Sequence, residues 1–102
     1  MNNNNYLNLL GLAYRARQCS LGVDKIVKDI QHRRAKLVLI ANDCSPHTRK
    51  KLTNKCNTYN IPCVTICDRN TLSHAIGQSQ RVAIAILDKG FATKISQLLG
   101  YN

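Results

Sequence analysis

Three short apolar runs constrain this chain more than anything else in it: Ala35 to Ala41 (AKLVLIA), Ile61 to Cys67 (IPCVTIC) and Val82 to Leu87 (VAIAIL). Each has strand length and is rich in aliphatic residues without strict apolar-polar alternation, so each reads as a strand covered on both faces. Helical patterns fill the segments between them. Val23, Ile26, Val27 and Ile30 fall at i, i+3, i+4 and i+7, with Asp24, Lys25, Lys28, Asp29 and His32 expected outside. Ser45 followed by Pro46 signals a helix start, since serine caps free N–H groups and proline at the first helical position leaves none unpaired. Leu52, Cys56 and Tyr59 would line that helix inside, with Arg49, Lys50, Lys51 and Lys55 outside.

Further elements complete the order. A first helix carries Leu7, Leu9, Leu10, Leu12, Ala13, Tyr14 and Ala16, with Arg15 and Arg17 complementing the carbonyl end of its dipole. A short extended piece runs through Gln18, Cys19 and Ser20 to Leu21 and Gly22. Leu72 to Ile76, closed by Gly77, reads as a short helix, and Asp88 caps a last helix with Phe91, Ile95, Leu98 and Leu99 facing inward. Strands alternating with helices, apolar on both faces, predict an α/β fold: a three-layer α/β/α sandwich with a small, mostly parallel or mixed four-stranded sheet. The 102 residues suit one domain, 1–102, with 1–5 a frayed polar leader.

Charge narrows the partners. Fifteen Lys and Arg stand against five Asp and no Glu, a formal +10, which attracts anionic polymers. Residues 1–51 hold ten basic and three acidic side chains, so +7 of that excess lies in the first half. A membrane partner needs a second signal, and no apolar run approaches the ~20 residues of a span. The N-terminus lacks the basic start and apolar stretch of a signal peptide, and five cysteines without framework spacing point to reduced, packed thiols. A cytoplasmic location without membrane attachment is expected.

Catalytic signatures are thin. The chain has no glycine-rich phosphate loop and no paired helical histidines. Asp43, Cys44, Ser45 and His47 form the tightest cluster, where a helix N-terminus could activate the Cys44 thiol, but a turn and a helix cap already account for these residues. Cys63 and Cys67, if on one strand, would sit about 13 Å apart at 3.3 Å per residue. One zinc ion cannot bridge that span. His32 and His74 read as solvated helix residues. No enzyme activity, metal or cofactor is expected.

Gly22-Val23-Asp24-Lys25-Ile26-Val27-Lys28 is more informative. Glycine lets a polyanion approach the backbone, and the first N–H groups of the helix are donors flanked by Lys25 and Lys28. The structural alternative is a glycine N-cap with Asp24 and Lys28 as an i, i+4 pair, and taken alone this is the simpler account.

Across almost the whole chain, LGLAYRAR, LGVDKIVK, AKLVLIANDCSP, LSHAIG and RVAIAILDKGFA resemble the L-seven-Ae ribosomal-protein superfamily, closest to its YlxQ-like bacterial branch. The resemblance implies an α/β/α sandwich that binds RNA, typically kink-turns, with Gly22, Val23, Asp24, Lys25 and Lys28 at the recognition positions. It also implies that the loop Gln78, Ser79, Gln80 and Arg81 covers the flipped-out part of the bend. Kink-turn binders carry Asn or Lys and then Glu or Gln where this chain has Asp24 and Lys25.

The expectation is a non-enzymatic RNA-binding protein whose partner is structured RNA, a kink-turn or ribosomal RNA, acting as a monomer with the ribosome or translation machinery. Phosphate contacts are assigned to Lys25, Lys28, Arg33, Arg34, Lys36 and Arg81. The basic set on the next helix, Arg49, Lys50, Lys51 and Lys55, reads as a solvated face. The alternative is a protein-interaction or assembly factor of the same fold with only non-specific RNA affinity.

Overall fold

The structure is a computed structural model that describes residues 5–100. The first four residues of the expected leader lie outside the described part, and Asn5 already opens α1 (Asn5–Arg15). The chain continues through β1 (Cys19–Leu21), α2 (Val23–Gln31), β2 (Leu37–Ile40), α3 (Pro46–Tyr59), β3 (Cys63–Thr65), α4 (Arg69–Ala75), β4 (Ala83–Ile86) and α5 (Lys89–Leu98).

Alternation along the strands builds the three layers. Leu37 and Leu39 of β2 and Ile84 and Ile86 of β4 point to one face, where Leu10, Leu72 and Ile95 from α1, α4 and α5 cover them. Val38, Ile40, Ala83 and Ala85 point to the other, under Ile26, Ile30, Leu52 and Cys56 of α2 and α3. The central strands are buried along their whole length, as their continuous apolar runs require.

The sheet order is β1-β4-β2-β3. Only β2 and β3 pair in parallel; β4 runs antiparallel to both β1 and β2. The sheet is therefore mixed, and the mostly parallel form of the expectation is corrected. A doubly apolar run fixes burial but carries no information on direction. The two edge strands, β1 and β3, are three residues each.

Helix starts follow their caps. Ser45 Oγ accepts from the Thr48 N–H at 3.3 Å with Pro46 at the first position, and Asp88 accepts from the Phe91 N–H at 2.9 Å. α4 begins three residues before the expected Leu72, because the Asp68 carboxylate accepts from the N–H groups of Asn70 and Thr71. Gly77, left-handed at φ 70°, ends that helix.

Candidate nucleic-acid interface

The strand register brings three connections to one end of the sheet. β1 runs against β4 with Leu21 opposite Ile84, so Gly22 lies beside the chain entering β4, which is Gln78 to Arg81. β2 ends there too: the Ala41 N–H donates to the Val82 carbonyl, and the chain turns through residues 42–45 into α3. Gly22 has φ 87° and ψ 132°, and a Cβ there would meet nothing within 4 Å. Backbone conformation, not crowding, demands glycine, and the surface above it is open.

The neighbouring loop is held in shape. Ser73 Oγ accepts from the Arg81 N–H at 2.8 Å and lies 3.2 Å from the Arg81 carbonyl, to which it donates. Gln78 Nε2 donates to the Tyr14 hydroxyl at 2.8 Å. Ser79 and Gln80 are exposed between these anchors, with Gln80 left-handed at φ 60°. Gly22, Val23, Asp24 and residues 78–81 thus share one end of the molecule, and Lys28 stands further along α2, in its last turn.

Asp29 does not lie outside, as its charge suggested. Its side chain is 0% exposed and takes hydrogen bonds from Ser20 Oγ of β1, from Lys25 Nζ at 3.1 Å and from Arg34 Nε at 2.8 Å. Burial alone would raise its pKa, but the bonds from Ser20, Lys25 and Arg34 outweigh that and hold the carboxyl below its ordinary value. The cluster ties α2 to β1 and to the turn after α2. It also occupies two of the cations assigned to a ligand, and Lys25 reaches Asp29 along its own helix, one turn on.

Arg33 and Lys36 lie elsewhere. α2 is nine residues long, about 13 Å, and it carries the chain to the opposite end of the sheet, where the Lys36 N–H donates to the Ile86 carbonyl. There Arg33, itself left-handed at φ 57°, donates to the Tyr59 carbonyl at 3.2 Å and covers the Tyr59 ring at 5.6 Å. Lys36 Nζ donates to the Arg33 carbonyl at 3.0 Å. Both line a cleft of about 630 Å³ with Ile61, Pro62, Lys89 and Ala92. This cleft is remote from Gly22.

α3 borders the Gly22 end. Asp24 does not pair with Lys28; its Oδ1 lies 3.6 Å from Lys51 Nζ on α3. Lys28 makes no ion pair among the described residues. Arg49 turns inward, donating to the carbonyls of Ala41 and Asn42 and to Thr65 Oγ1, and so braces the turn between β2 and α3. That role was not legible from its place in a basic run.

The cysteines act as core. Cys44 is 7% exposed and burial pushes its thiol pKa up, against the pull of Arg49 and Arg69, in keeping with the turn and helix cap that account for this cluster. Cys63 and Cys67 pack in opposite layers. Cys56 and Cys63 share a hydrogen bond, which holds the Cys63 thiol below its ordinary value. His32, His47 and His74 are exposed. Among the described residues, no three His, Cys, Asp or Glu side chains converge as a metal site, and no helix is long and apolar enough to cross a membrane.

Comparison with known proteins adds a lineage to this geometry. Residues 4–96 match the model of the Ribosomal protein L7Ae/L30e/S12e/Gadd45 family. RNA-binding protein YlxQ of Bacillus subtilis is 47% identical over 91 residues, spanning 89% of this chain and 91% of that protein. Large ribosomal subunit protein eL8 of Thermoplasma volcanium is 27% identical over 85 residues, 82% of this chain and 70% of that protein. A solved structure from Bacillus halodurans, of a protein of unknown function, superposes with a TM-score of 0.91 at 42% identity, covering 93% of this chain and 96% of that one.

Proposed function

The chain belongs to the ribosomal protein L7Ae/L30e/S12e/Gadd45 family, and from that membership we propose that it is a non-enzymatic RNA-binding protein reading a kinked, structured RNA. Ribosomal RNA or the translation machinery in the cytoplasm is its proposed setting. The observation that carries this reading is the meeting of the Gly22 helix start with the anchored loop 78–81 at one end of the sheet.

An A-form duplex has a deep, narrow major groove that side chains cannot enter, whereas a kink opens it. The bare backbone at Gly22 would approach the opened groove most closely. Lys28 and Arg81 would contact phosphates, which set affinity and orientation. Asp24, ionised, can only accept, so it would take a base amine or a 2′-hydroxyl. Lys25 would act through Asp29, keeping α2 in register with β1, and Arg33 and Lys36 stand outside this interface.

The test is a titration of the full chain against a kink-turn RNA, the same RNA with its G·A pairs destroyed, and a plain duplex, at several salt concentrations. Preference for the intact kink, lost in Gly22→Glu and weakened in Lys28→Ala, is the expected result. Equal binding to all three with one steep salt slope would overturn it, leaving counterion release alone and an assembly factor with loose RNA affinity.

A further inference from the structure

We propose that the exposed basic face of α3 is a second wall of the RNA site, holding the phosphate backbone of a helical stem that flanks the kink. The proposal rests on the function proposed for the Gly22 end and extends it to residues that the sequence marked as a solvated face.

The first support is position. α2 and α3 both start at the Gly22 end, cover the same face of the sheet and pack on each other, and the Asp24–Lys51 pair crosses the seam from the first turn of α2 to the second turn of α3. Lys28 and Lys55 each stand one turn further along their own helices, adding two more cations next to that pair. His47, Lys50, Lys51 and Asn54 recur at i, i+3, i+4 and i+7 and together line a shallow depression of about 330 Å³ beside it.

The second support is charge with little compensation inside the fold. A helix start favours acidic side chains over its first turn, and that preference fades beyond it. α3 has no acidic residue at all, and Lys50 and Lys51 follow directly on its first turn, so no carboxylate on their own helix offsets them. Arg49 is explained by its three bonds to the β2–α3 turn and to Thr65. Lys50 and Lys51 brace nothing comparable, and among the described residues the one acidic group paired with either is Asp24, itself 98% exposed. Exposed cations with so little intramolecular compensation fit an external anion. RNA phosphate is the partner that the adjacent interface supplies.

The experiment compares two double variants of the full chain on a kink-turn RNA with both stems present. Lys50→Ala/Lys51→Ala is expected to bind about tenfold more weakly and to lower the slope of log affinity against log salt by about 1 to 2, near 0.9 for each phosphate no longer neutralised. Lys89→Ala/Lys94→Ala, on α5 across the sheet, removes the same charge and should leave that slope unchanged. An unchanged slope in the α3 variant, or equal losses in both doubles, would overturn the proposal. Kink preference and its dependence on Lys28 would survive that outcome, so the two readings fail separately.

Discussion

The two ends of the sheet use their cations differently. At the far end Arg33 is bonded to the Tyr59 carbonyl and laid over its ring, Lys36 holds the Arg33 carbonyl, and Arg34 holds Asp29. At the Gly22 end the backbone is bare and the loop at 78–81 is fixed by bonds from α1 and α4, while Lys28, further along α2, makes no ion pair among the described residues. A positive charge already satisfied inside the fold contributes less to binding than one left open beside a rigid backbone. Placement and engagement, more than the total of +10, separate a candidate interface from a structural clasp.

Asp29 joins the two ends, and removing it should give the largest effect. Asp29→Ala leaves Ser20 Oγ buried without its acceptor and frees Lys25 and Arg34. The expected loss is about 2–3 kcal/mol by denaturant unfolding, below the 3–5 of a fully buried pair because both cations reach solvent. A loss under about 0.5 kcal/mol would show that the clasp is decorative.

Binding sharpens the contrast next. Lys28→Ala should weaken kink-turn affinity about tenfold and lower the salt slope by about 0.9, whereas Arg33→Ala/Lys36→Ala should stay within about twofold of the parent. If the far-end variant loses as much as Lys28→Ala, the distinction between the ends fails.

Acid should weaken the clasp in a known direction. The folded Asp29 carboxyl has its pKa below the ordinary value near 3.9, so around that pH the unfolded chain binds more protons and stability rises with pH. The contribution is present above the unfolded pKa and is lost as pH falls through the folded one. Denaturation midpoints measured from pH 6 downward should drop below about pH 4, and the drop should be shallower in Asp29→Asn. The smallest effect belongs to Arg33→Ala, about 0.5–1 kcal/mol from the lost stacking on Tyr59, readable as a modest fall in melting temperature.

The parts of this fold that show in sequence are those set by local chemistry. The runs at Leu37 to Ile40 and Ala83 to Ile86 read as strands because aliphatic side chains are buried on both faces, and Ser45-Pro46 and Asp88 read as caps because their bonds close within three residues. Strand direction did not show, since it depends on which edge a returning chain meets. Asp29 was hidden by its own charge, although it stands three residues after Ile26 on the buried stripe and four after Lys25. Its partners Ser20 and Arg34 arrive from different elements, which periodicity within one helix cannot reveal. Arg33 and Lys36 look close to Gly22 along the chain, and only the length of α2 separates them. The Asp24–Lys51 pairing depends on two helices packing side by side, so no spacing along either helix records it.

The sheet's edges have a bearing on crowding. β1 and β3 offer a foreign strand only three residues of ladder each, while the fully buried apolar strands β2 and β4 are shut inside. Short edges give little template for edge-to-edge growth. Many copies gathered along one polyanion would thus be guarded against cross-chain sheet formation by the same strand order that brings Gly22 beside the 78–81 loop.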